Sequence, residues 1–247
     1  MLKDFSKEKF DIIVQAGQSN SEGCGRGPCD RPFSSDHLYY LTGDFVISRA
    51  QEQVWENDVV ANFSLSFCRK YLEDGHLENG RKLLVIRAAV GGTGFLDKRW
   101  GMQDDLYLRM MEMIKTTVSL NNENRLLAFL WHQGETDAHH GATMQDHEKK
   151  LSGLVSSVRD TFNVPSLPFV CGDFVQGWKK INIAIAEPVV DAIINVTNTI
   201  DNARFVETQG FASNDDIFHD GDDIHFCRQA LYDLGERYYK AFLEIKS

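Results

Sequence analysis

Short apolar runs bounded by turn residues alternate with amphipathic segments along almost the whole chain, and few folds accommodate that alternation. Strands are predicted over 10–15, 45–49, 83–89, 126–131, 168–174 and 204–208. Between them, apolar residues recur at intervals of three and four over 62–73, 104–119, 147–162, 181–197 and 228–245, which predicts helices. A run such as Leu83-Leu84-Val85-Ile86 has no polar face to offer water, so it belongs in a parallel sheet covered on both sides. The expected architecture is therefore α/β, with three layers in the order α/β/α. No Pro/Ser-rich linker, compositional break or fixed-period repeat interrupts the pattern, and 247 residues at ~150 per domain are compatible with a single domain over 1–247.

Charge narrows the functional classes. The net charge of -10, from 36 acidic and 26 basic residues, repels phosphate backbones and anionic membranes, so neither nucleic acid nor a membrane is an expected partner. No window approaches the ~18 consecutive apolar residues of a membrane-spanning helix. Residues 1–10 carry Lys3, Asp4, Lys7, Glu8 and Lys9 with no apolar core of a signal peptide, which gives a cytoplasmic expectation. The five cysteines are odd in number and form no C-x-x-C pair, as expected of reduced thiols that behave as small buried hydrophobes. Oligomeric state leaves no signal in the pattern.

Four segments carry the chemistry, each after a predicted strand or before the last helix, where an open α/β sheet places its ligand site. Gly17-Gln18-Ser19-Asn20 turns sharply out of the first strand and presents a hydroxyl. Ser19 and Glu22 also fit an S-x-x-E capping box, in which the serine only satisfies backbone donors. Gly91-Gly92-Thr93-Gly94 brings backbone N–H groups close to a reacting atom, or forms a plain turn. In Trp131-His132-Gln133-Gly134-Glu135-Thr136-Asp137, Gln133 offers an amide to an oxyanion, and Glu135 a carboxylate to orient a base or hold a hydroxylated substrate. In Asp222-Asp223-Ile224-His225, a carboxylate three residues before an imidazole can hold Nδ1 and leave Nε2 for a serine. A solvated acidic loop is the bland alternative there.

The segments match neither a G-x-S-x-G elbow, nor a P-loop, nor H-E-x-x-H, nor an EF-hand, so no metal or other cofactor is expected. Residues 139–147, with three histidines, read as solvent-facing helix. Phe95, Trp100 and the irregular segment 22–33 are candidates for lining the pocket.

In this order the four segments resemble the SGNH-type hydrolases, and within them the sialate O-acetylesterase-like group that includes carbohydrate esterase family 6. The resemblance spans residues 15–226. It implies a flavodoxin-like sheet of about five mostly parallel strands, and a serine esterase that deacetylates acetylated saccharides of sialate or xylan type through an acyl-enzyme. By resemblance, Ser19 is the nucleophile, His225 the base and Asp222 its orienting acid, with the N–H groups of Ser19 and Gly92 and the Gln133 amide as oxyanion donors. Glu135 competes with Asp222 as the acid. A silent carbohydrate-binding protein on the same fold and a metal-assisted hydrolase are the alternatives. The mechanism predicts a rate that rises through the pKa of His225, about 6.5 unless its carboxylate raises it.

Overall fold

The computed structural model describes residues 2–55 and 57–246. After a short 3-10 turn at Leu2–Phe5, the chain enters β1 (Lys9–Gly17), whose residues from Phe10 onward are all buried. Strands β2 (Leu38–Leu41), β3 (Ile47–Arg49), β6 (Arg81–Arg87), β7 (Arg125–His132), β8 (Phe169–Gly172) and β9 (Ala203–Val206) join it in one sheet. The order is β3-β2-β6-β1-β7-β8-β9. Every pairing is parallel except that of the edge strand β3 with β2. A separate hairpin of β4 (Gln53–Trp55) and β5 (Asp58–Val60) lies outside this sheet.

The α/β/α architecture and the mainly parallel sheet are as the sequence predicts, but among the described residues the sheet has seven strands rather than about five. The segments over 10–15 and 45–49 and the four later ones all contain strands. Strand β2 was not anticipated, because Leu-Tyr-Tyr-Leu is only four residues long and emerges from an irregular loop. The hairpin strands have three residues each, and only Val60 at the end of β5 is buried, so no periodicity marks them.

The helices are α1 (Ser19–Glu22), α2 (Ser64–Glu73), α3 (Asp105–Leu120), α4 (Glu135–His139), α5 (Met144–Thr161), α6 (Gln176–Ile181), α7 (Ile183–Thr199), α8 (Asn214–Phe218) and α9 (Arg228–Lys246). The helix expected over 181–197 is α7, shifted by two residues; the shorter α6, which ends at Ile181, precedes it, and Asn182 between them donates its side chain to the Trp178 carbonyl. Strand alternation shows the layering. His132 meets Tyr238 of α9 and Phe63 ahead of α2. Its neighbour Trp131 points the other way, onto Phe95 and Trp100. Phe95 in turn touches His147 of α5. Helices α2 and α9 thus cover one face and α5, with α3 and α7, the other. Close packing of α9 depends on Gly235, where a Cβ would lie 2.0 Å from the Phe63 carbonyl oxygen.

At the sheet edge where β1 begins, Asp11 is wholly buried and accepts from Arg81 Nε at 2.8 Å and Arg125 Nε at 2.6 Å. One carboxylate so ties β1 to both of its neighbours. Removing it strands a buried guanidinium, which typically costs about 3–5 kcal/mol. Asp11→Ala is therefore expected to lose stability of that order in urea unfolding, far from the residues described next; a loss under about 1 kcal/mol would show the charges to be dispensable.

Candidate active site

The chain leaves β1 toward β2 on one side and leaves β7 toward β8 on the other, which opens a crevice at the carboxyl ends of β1 and its neighbours. Gly17 closes β1 with φ 125°, and a Cβ there would lie 2.1 Å from the His132 carbonyl oxygen, so only glycine lets the strands converge here. The next residues act as connectors. Gln18 Oε1 accepts the backbone N–H groups of Gly134 and Thr136, both at 3.2 Å, at the start of α4. Asn20 Nδ2 donates to Glu135 Oε1 at 3.0 Å and to the Ile224 carbonyl at 3.1 Å, while its Oδ1 accepts Phe226 N–H at 3.0 Å. Asn20 therefore grips the backbone on both sides of His225.

Ser19 lies between these two. Its Oγ is 2.9 Å from His225 Nε2, and His225 Nδ1 is 2.6 Å from Asp222 Oδ1. Three residues expected at one site are thus in a continuous hydrogen-bonded line across 206 positions of sequence. The capping-box reading of Ser19 does not hold. Among the described residues no side chain caps α1, and the Glu22 carboxylate instead accepts Gly91 N–H at 2.6 Å. Nor is the acidic loop merely solvated: Asp216 and Ser213 form a capping box on α8, and Asp220 pairs with Arg26 at 2.6 Å.

Asp222 Oδ2 accepts from Asn214 Nδ2 at 2.8 Å and lies 3.4 Å from Arg26 Nη2. Burial pushes its carboxyl up, but the bonds from His225 and Asn214 and the nearby positive charges outweigh it and hold it below the usual range. For His225, burial favours the neutral ring, yet the bond to Asp222 prevails and holds the imidazole above its ordinary 6.5. Glu135 is fully buried, with Oε1 on Asn20 and Oε2 unpartnered among the described residues, and burial raises it to about 7. It supports Asn20, whereas Asp222 occupies His225 Nδ1. His132, 4.0 Å from Glu135, is pulled down to about 3 by burial and shares a 3.0 Å bond with the Tyr238 hydroxyl.

The backbone N–H groups of Ser19 and Gly92 have no acceptor among the described residues. Gln133 is nearly fully buried and donates one amide hydrogen to Asp137 Oδ2 at 2.9 Å, with no bond to Ser19 or His225. Asp137 also receives Phe95 and Leu96 N–H, at 3.0 and 2.8 Å, and so fixes the segment after Gly91-Gly92-Thr93-Gly94.

The model of a protein family described as carbohydrate esterase, sialic acid-specific acetylesterase, matches residues 9–244. The chain belongs to that family. A probable carbohydrate esterase of Arabidopsis thaliana is 25% identical over 159 residues, which is 64% of this chain and 55% of that protein, so the match spans about half the relative's length. The crystal structure of NanS superimposes with a TM-score of 0.80 at 18% identity, over 97% of this chain and 98% of that one. A carbohydrate acetylesterase from Xanthomonas citri gives 0.63 at 13% identity, over 95% of this chain and 56% of its own. At these identities the two structures establish the shared fold.

In this family member a cavity of about 630 Å³ opens on Ser19 and His225 and is lined by Glu22, Cys24, Tyr40, Glu52 and Gln53 among others. A smaller one of about 260 Å³ reaches His225 from the side of Arg26, Asp58 and Asp222. The segment 22–33 contributes Gly23, Cys24 and Arg26, as expected of a loop at the mouth. Phe95 and Trp100 do not line it. They are buried under Trp131 on the α5 side, because the Asp137 carboxylate folds their loop inward. His147 is likewise buried rather than solvent-facing, since the first turn of α5 packs on Phe95 and Asp137, while His139 and His140 are exposed. Cys24 departs from the bland reading in one respect: it has a partner, donating to the Ser19 carbonyl at 3.3 Å beside His225. Burial raises its thiol and keeps it uncharged. Among the described residues no group of three or more His, Cys, Asp or Glu side chains is disposed to hold a metal ion.

Proposed function

We propose that this carbohydrate esterase removes O-acetyl groups from acetylated saccharides, of sialate or xylan type, by serine catalysis. The observation that carries the reading is the line Ser19 Oγ, His225 Nε2, His225 Nδ1, Asp222 Oδ1, with separations of 2.9 and 2.6 Å. Neutral His225 takes the Ser19 proton as Oγ bonds to the acetyl carbonyl carbon, and the carbonyl electrons move to oxygen. The N–H groups of Ser19 and Gly92 receive that oxyanion, and the second amide hydrogen of Gln133 completes the set, its first being held by Asp137. Collapse breaks the bond to the sugar oxygen, which takes the proton from His225. Water, deprotonated by the same imidazole, then releases acetate and restores Ser19.

Only neutral imidazole is a base, and the site holds His225 above its ordinary value. The acidic limb of kcat/KM is accordingly expected on the alkaline side of about 6.5, with a rate still rising across about pH 5 to 8; Asp222→Asn moves what activity remains toward lower pH. A wild-type rate flat across that window contradicts the role of His225.

The reading is tested by quenching turnover of 4-nitrophenyl acetate and digesting the protein. The expected result is an acetyl adduct on the Ser19 peptide and a rate indifferent to chelator. Turnover abolished by chelator, without an adduct, would replace the serine mechanism with a metal-assisted one.

A further inference from the structure

Alternation along the β4–β5 hairpin places Gln53, Trp55, Asp58 and Val60 on one face and Val54 and Val59 on the other. Trp55 and Val60 line both cavities that meet at His225. Val60 is 4% exposed, as a residue turned toward the body of the protein should be, but Trp55 on the same face remains 58% exposed. The indole therefore looks toward the site over open cleft rather than core. The hairpin is anchored at its base, where Ala61 N–H donates to the Gly25 carbonyl and Arg87 donates to Gln53 Oε1 at 3.4 Å.

A pyranose ring has a face of polarised C–H groups and a rim of hydroxyls. The first suits the electron-rich face of an indole, and the second needs donors and acceptors around it. Thr42, Ser48 and Gln53 supply them in the larger cavity, Arg26 and Asp58 in the smaller. Ser19 opens only on the larger cavity, whereas His225 and Trp55 border both.

We propose that Trp55 is a stacking platform for carbohydrate and that the substrate runs through both cavities: the acetylated unit lies in the larger, and a linked glycosyl unit passes beneath the indole into the smaller. The preferred substrate is then an acetylated oligosaccharide rather than a free monosaccharide. This rests on the esterase reading above.

The test compares the wild type, Trp55→Ala, Trp55→Phe and Ser19→Ala on 4-nitrophenyl acetate and on two matched pairs, O-acetylated xylose with xylotriose and O-acetylated sialic acid with sialyllactose. For whichever pair is hydrolysed, the wild type is expected to favour the longer member at least tenfold in kcat/KM. Trp55→Ala should erase that preference through KM, losing at least tenfold more on the longer sugar than on the aryl ester, and Trp55→Phe should retain most of it. Equal kcat/KM for both members, hydrolysis of neither pair, or a proportionate loss on every substrate in Trp55→Ala would overturn the platform. Ser19-dependent hydrolysis of the aryl ester would leave the esterase reading standing in those cases; its absence from every substrate would remove both.

Discussion

Ser19→Ala is expected to lower kcat for acetyl ester hydrolysis by about 10⁶-fold, the scale seen when a serine nucleophile is removed from an otherwise complete triad. The alanine deletes the one oxygen placed 2.9 Å from His225 Nε2. It leaves the Ser19 and Gly92 N–H groups in place, so a residual rate of about 10³ to 10⁴ over water should survive from oxyanion binding alone. Single-turnover kinetics with 4-nitrophenyl acetate read both numbers. A decrease smaller than tenfold would move the nucleophile elsewhere.

Asp222→Asn is expected to cost about 10⁴-fold in kcat with the fold intact. An amide in place of the carboxylate can present its NH2 to Nδ1, which turns that nitrogen into an acceptor. The ring proton then resides on Nε2 and faces Ser19, where a lone pair is needed. Glu135→Gln makes the informative contrast. Glutamine keeps an oxygen for Asn20 Nδ2, now 3.0 Å from Glu135 Oε1, so the grip on Ile224 and Phe226 persists and a loss within about tenfold, or ~1.4 kcal/mol, is expected. Kinetics in the reverse order would transfer the orienting role to Glu135.

Ser19, Asp222 and His225 were legible because each sits where strand periodicity stops or a helix starts, and those boundaries are local. Their supports were not. Gln18 and Asn20 look like filler in the first motif, since their partners at Gly134, Glu135 and Phe226 lie more than a hundred residues away. Glu22 suggested a local cap, although its true partner is the Gly91 N–H. Phe95 and Trp100 show the opposite error: aromatics beside a glycine cluster read as pocket lining, but a single buried carboxylate at Asp137 turns their loop inward. The hairpin that carries Trp55 was invisible because three-residue strands with mostly solvent-facing side chains leave no hydrophobic rhythm.

The buried carboxylate of Asp11 also acts as a zero mark. From the level at which Arg81 and Arg125 clasp it, β1, β6 and β7 measure out the lengths of chain that end at Ser19, Gly91 and His132. Each residue of strand advances about 3.3 Å, so a slip of one position would carry a loop tip farther than any hydrogen bond can stretch, and would turn its side chains to the opposite layer. Precision at the edge of the sheet that carries Ser19 is thus set from its opposite end.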